Sequence, residues 1–129
     1  MRKQYYFRPS DRGLLAWDVD RLVALTKSFP QIQVQLSSVR ELDEAFHSDD
    51  EPSTWRAMVN HVRLMNKADL SFPIILSAEG RVMDGMHRVA KAVLLGHTTI
   101  EAIQFTQDPE PDYVGVKPEE LSYEEDESC

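Results

Sequence analysis

The chain has 129 residues, 42% of them hydrophobic, with one cysteine and a formal net charge of −8; that length predicts one domain with its own core. No apolar run approaches the roughly 18 residues that span a bilayer, residues 1–6 lack a secretory apolar stretch, and a lone Cys129 excludes an intramolecular disulfide or a cysteine-built zinc cluster. Residues 1–107 hold 13 basic and 13 acidic side chains, whereas residues 108–129 hold one lysine and nine acids, a neutral body with an acidic tail that makes a poor autonomous partner for nucleic acid.

These features lead us to expect a soluble, cytoplasmic protein with no membrane partner. Along the chain, Tyr5 to Arg8 read as a short edge strand, followed by a turn at Pro9-Ser10-Asp11-Arg12-Gly13. Asp18 offers an N-cap for a helix in which Val19, Leu22, Val23 and Thr26 share a face and which stops before Pro30. Ile32, Val34 and Leu36 alternate with glutamines, the period of a half-buried strand that Ser37 ends.

The acid-rich stretch from Arg40 to Pro52 turns helical in its first part and becomes an exposed loop at residues 47–52. Ser53 or Thr54 then caps a helix from about Trp55 to Lys67, with Trp55, Met58, Val59, Val62 and Met65 on one stripe that should pack on a sheet. Trp17 and Trp55 each begin an amphipathic helix and read as core or rim packing rather than as platforms for a base. Pro73-Ile74-Ile75-Leu76 and Gly80-Arg81-Val82-Met83 form a hairpin about Ala78-Glu79-Gly80. Met86, Val89, Ala90, Val93 and Leu94 then follow helical spacing up to Gly96, and Thr98 to Phe105 closes as a strand. Beyond it, Asp108-Pro109-Glu110-Pro111-Asp112 breaks regular structure, and Tyr113 with Val114 could dock the tail.

The chemistry concentrates where the hairpin's second strand passes through Asp84-Gly85-Met86-His87-Arg88 directly into a helix. Unpaired backbone N–H groups and the positive end of a helix dipole meet there, which suits an anion. Gly85 permits a positive φ, and His87, Arg88 and Lys91 avoid the core face of the helix, so their donors are available to the same anion. Asp84 would repel a phosphate unless it holds Mg²⁺, orients His87 or acts as a base toward a substrate hydroxyl. The same residues also admit a structural reading, in which Asp84 caps the helix, Gly85 makes the turn and His87 and Arg88 pair with local acids. His47, His61 and His97 show no metal-ligand spacing.

Phe72-Pro73-Ile74-Ile75-Leu76, then Gly80 through Arg88, then Ala90, Ala92, Gly96 and Ile100 resemble the core of the ParB/sulfiredoxin superfamily. Ile32 to Val39 and the helix after Ser53 are similar to its upstream strand and helix. The resemblance covers roughly residues 31–105 and implies an α+β fold, a small mixed sheet packed with helices. Its members include sulfiredoxins, nucleotide-binding partition proteins and free serine kinases, in which the matching turn grips nucleotide phosphates. By that resemblance Gly85, His87 and Arg88 hold phosphates, with Lys91 nearby and Thr54, Arg56, Asn60 and His61 as further contributors from the upstream helix. Glu41 is the first choice for a catalytic carboxylate beside Asp84. Met86 stands where sulfiredoxins carry their nucleophilic cysteine, so that activity is not expected. The acidic stretch after Phe105 offers no helix-turn-helix, so a complete partition protein is not expected either.

We therefore expect an extension over residues 1–30, a ParB/sulfiredoxin-like core over 31–107 and an acidic, partly disordered tail over 108–129. The leading function is nucleotide-phosphate binding, with ATP or CTP and Mg²⁺ held at Asp84, extending to a small phosphotransferase or nucleotide hydrolase. The alternatives are a non-catalytic module that binds an anion or, through its acidic tail, a protein partner, and a ParB-like DNA-associated or nuclease domain that the charge distribution opposes.

Overall fold

The computed structural model describes residues 3–45 and 54–123; the expectations for the loop at 47–52, for Ser53 as a cap, for residues 124–127 and for Cys129 lie outside these. The elements run β1 (Tyr5–Ser10), β2 (Gly13–Asp18), α1 (Val19–Leu25), β3 (Ile32–Gln35), α2 (Trp55–Lys67), β4 (Ile74–Leu76), β5 (Val82–Asp84), α3 (Met86–Leu94), β6 (Thr99–Gln104) and β7 (Tyr113–Val114), with short 3-10 turns at Leu36–Ser38, Arg40–Asp43 and Pro118–Glu120. The fold is α+β, as the sequence predicts. It divides into two units: Pro30–Thr106, and a second made of Met1–Phe29 together with Gln107–Cys129.

In the unit built from both ends of the chain, β1 and β2 form an antiparallel hairpin and β7 adds to β2 through Leu15↔Val114 and Ala16↔Tyr113. Tyr113 and Val114 thus dock the acidic segment, as the sequence suggests, and residues 108–123 belong to this unit. Trp17 is 2% exposed and donates its indole N–H to the Pro109 carbonyl at 2.8 Å. Arg8 lies over the Trp17 ring and pairs with Asp108 at 3.0 Å. Arg21 pairs with Asp112 at 3.0 Å and donates to the Glu110 carbonyl at 2.9 Å, while the Asp18 amide donates to Asp112 Oδ2 at 2.8 Å. Acids that look like a solvated arm in sequence are thus tied down by specific cations and amides.

Trp17 lies in a strand, not at a helix start. Strand β2 has no sequence signal because Leu15, Ala16 and Trp17 are all buried, which removes the alternation that marks a half-exposed strand. Pro9 is accommodated because β1 is an edge strand. Asp18 caps α1 as expected, accepting from the Asp20 amide at 2.9 Å.

In the unit Pro30–Thr106 the sheet order is β3-β6-β4-β5, mixed because β6 runs antiparallel to β3 and parallel to β4. The β4–β5 hairpin closes at the expected place, with the Ser77 amide donating to Arg81 O at 2.8 Å and the Gly80 amide to Ser77 O at 2.9 Å. Leu36, Val39, Ile74, Leu76, Val82, Ile100 and Ala102 form the core with Val89 and Ala92 of α3. Helix α3 thereby packs on the sheet and aims its first turn from the end of β5.

Helix α2 behaves differently from expectation. It has no buried residue, and it packs chiefly on α3 through the half-buried row Ala57, His61 and Met65. Its apolar stripe faces out: Trp55 is 87% exposed and Met58, Val59 and Val62 are 40–46% exposed. The expectation that this stripe packs on the sheet, and that Trp55 is core or rim, is corrected accordingly.

Candidate functional site

Strand β5 delivers the chain into α3 with Gly85 at the N-cap and φ of 112°. A Cβ there would lie 2.7 Å from Ile74 Cγ2 and 3.0 Å from Arg88 Nη2, so this position demands glycine for both conformation and space. Gly85, not Asp84, is the N-cap, and no side chain caps the helix. The first intrahelical bond runs from the Val89 amide to Gly85 O at 3.0 Å, so the amides of Met86, His87 and Arg88 precede the helical ladder, as an anion cradle requires.

The cations of α3 serve the fold. Arg88 donates through Nη1 to the carbonyls of Phe72 (3.0 Å) and Pro73 (2.7 Å) and through Nη2 to Asp84 Oδ2 (2.8 Å). Its side chain and that of Asp84 are 15% and 19% exposed. Lys91 donates to the Asn66 carbonyl at 3.1 Å and the Ala68 carbonyl at 2.7 Å, closing the C-terminus of α2. The two cations therefore brace residues 66–73, the connection from α2 to β4. Within that connection, the hydroxyl and amide of Ser71 hold the Asp69 carboxyl below the ordinary range. In this structure the Arg88 fork and Lys91, both expected near phosphate, engage backbone acceptors.

His87 reaches α2. Its Nε2 lies 3.0 Å from His61 Nδ1, and the two rings stack with centroids 5.3 Å apart. Because this link is at the start of α3 and the Lys91 link is at the end of α2, the helices run parallel. Residues 55–59 of α2 thus overhang the N-terminus of α3 by roughly 8 Å at 1.5 Å per residue. Thr54 caps its own helix, accepting from the Ala57 amide at 3.1 Å. Asn60 and Arg56 are exposed and lie about 100° and 140° round the helix from His61, on other faces. Of the α2 residues drawn from the resemblance, His61 alone is brought against the turn by a described contact. No local spacing signals it, since the pair is 26 positions apart.

Glu41 accepts from the Val82 amide at 2.6 Å, at the start of the strand that ends in Asp84. Its Oε1 is buried, has no hydrogen-bond partner among the described residues and lies 3.9 Å from Arg81 Nη1, which pairs with Glu44 at 2.6 Å. Among the described residues no three His, Cys, Asp or Glu side chains gather into a metal site. Asp84, the carboxylate at the turn, is engaged by Arg88 Nη2 at 2.8 Å. A cavity of about 220 Å³ opens elsewhere, between Val34, Arg40, Leu76, Glu79 and Gln104, and contains none of the turn residues. Among the described residues no helix is long and apolar enough to cross a membrane.

No family model, curated protein or solved structure matches this chain.

Proposed function

We propose that this chain is a nucleotide-phosphate-binding domain of ParB/sulfiredoxin type, with the phosphate held by the first-turn backbone of α3. The observation that carries this reading is the left-handed Gly85 leading straight into Met86-His87-Arg88, whose amides precede the helical ladder. Oriented amides at a helix start, reinforced by the dipole, bind phosphate without needing a free lysine or arginine. His87 adds a donor at the second helical position, and His61 sets its ring. Arg88 stabilises the turn from behind and supplies positive potential. ATP or CTP, with Mg²⁺ carried on its phosphates, is the ligand class this reading names, and phosphoryl transfer or hydrolysis the chemistry it would extend to, with Asp84 and Glu41 as the carboxylates.

A non-catalytic anion-binding module is the second reading, and one observation favours it: Asp84, the carboxylate at the turn, is held by Arg88 at 2.8 Å and does not stand free as a base. Amide-resolved NMR during titration with pyrophosphate, ATP and CTP, with and without Mg²⁺, tests both. Binding displaces the Met86, His87 and Arg88 amide signals first and His87→Ala weakens it. Saturation without those displacements sinks the cradle, and binding without release of phosphate selects the second reading.

A further inference from the structure

Helix α2 has three faces that do not match its surroundings in the usual way. The row facing α3 is Ala57, His61 and Met65. About 100° round, Trp55, Met58, Val59 and Val62 form an apolar stripe, 87%, 40%, 46% and 42% exposed. On the third side stand Arg56, Arg63 and Lys67, all exposed, and the helix contains no acidic residue at all. An amphipathic helix normally buries its apolar stripe, because that burial is what stabilises it. Here the row that meets α3 is only half-buried and the larger apolar stripe meets solvent.

We infer that this face of α2 docks an acidic, amphipathic helical segment of a partner protein, leucine-like side chains on the Trp55–Met58–Val59–Val62 stripe and carboxylates on the Arg56–Arg63–Lys67 row. Charge complementarity identifies the occupant: three cations border the stripe on a chain whose net charge is −8. Tryptophan, methionine and arginine are the residue types that concentrate at interface centres, and the stripe and its border supply all three. A second copy of the chain fits poorly, since an antiparallel two-fold contact through the stripe sets the Arg56–Arg63–Lys67 row against its own copy. Nucleic acid would leave the stripe unburied, and an anionic bilayer would repel the acidic remainder of the chain.

Trp55 reports on its own face, because Trp17 is 2% exposed and hidden from an aqueous quencher. The probe is a synthetic peptide helix with leucines at i, i+4 and i+7 and glutamates on the flanks, titrated while acrylamide quenching is followed. The expected result is a blue shift, protection of Trp55, and at least about tenfold weaker binding for the triple variant Arg56→Glu, Arg63→Glu, Lys67→Glu, as the loss of three rim pairs implies. Val62→Asp abolishes binding while its circular dichroism and melting temperature match the parent. The proposal is overturned if the peptide gives no protection, if a lysine-flanked peptide binds equally well, if phosphatidylglycerol vesicles or duplex DNA protect Trp55 in its place, or if protection follows protein concentration alone.

Discussion

His61 Nδ1 of α2 stands 3.0 Å from His87 Nε2 of α3, with the rings inclined at 25°. This contact is a main polar tie on the side of α2 that faces the rest of its unit, since the apolar stripe takes no part. His61→Ala should therefore loosen α2 by about 1 kcal/mol, the worth of one hydrogen bond. Hydrogen exchange of the α2 amides checks it: they should exchange several-fold faster while those of β4 and β6 keep their protection.

Arg88 carries more of the fold. Arg88→Ala removes three charge-assisted bonds and leaves Asp84 partly buried beside apolar neighbours, so urea unfolding should show a loss of about 3 kcal/mol. Arg88→Lys should recover less than half of this, because an ammonium cannot span two carbonyls and a carboxylate as the planar fork does.

Gly85→Ala should cost about 2 kcal/mol or more, since the residue sits at φ 112° and the added methyl meets Ile74 Cγ2 at 2.7 Å. Equal melting temperatures for variant and parent would contradict the geometry.

The two tryptophans should separate cleanly. Trp17→Ala should lose about 3–5 kcal/mol by emptying a buried site and orphaning the Pro109 carbonyl, whereas Trp55→Ala should stay within about 0.5 kcal/mol. Thermal unfolding of both variants measures the contrast.

Asp69 contributes a pH dependence of known sign. The hydroxyl and amide of Ser71 favour its charged form, so its folded value lies below the unfolded one. Its contribution is present above the ordinary aspartate range and fades as pH falls through the folded value. In a carboxyl NMR titration, Ser71→Ala should move the Asp69 midpoint upward.

How far these features can be read in the sequence depends on whether their cause is local. The bounds of α2 and α3 follow from the Thr54 cap, the apolar spacing and the Gly85 and Gly96 breaks, and the β4–β5 hairpin follows from Ala78-Glu79-Gly80. The partners of Arg88 do not, because the carbonyls it grips are 15 and 16 positions upstream and carry no side-chain signal. The stripe of α2 is equally legible as a stripe, but periodicity describes one surface and says nothing of what covers it. Strand β7 has two residues and exists only because β2 offers an edge, a fact about Leu15 and Ala16 rather than about Tyr113 and Val114.

The unit made from both chain ends also has a timetable. The Asp18 amide and its acceptor Asp112 are separated by 94 positions. At roughly 5–20 residues per second, a ribosome needs on the order of 5–20 s to synthesise the second after the first. During that interval β1 and β2 have emerged without β7, and Trp17 lacks the Pro109 carbonyl that its indole will bond. The segment from Pro30 to Thr106 is made as one contiguous piece within that interval. Strands β1 and β2, made long before β7, thus wait for it to finish their sheet, and a nascent chain paused near residue 106 would present Leu15 and Trp17 to chaperones.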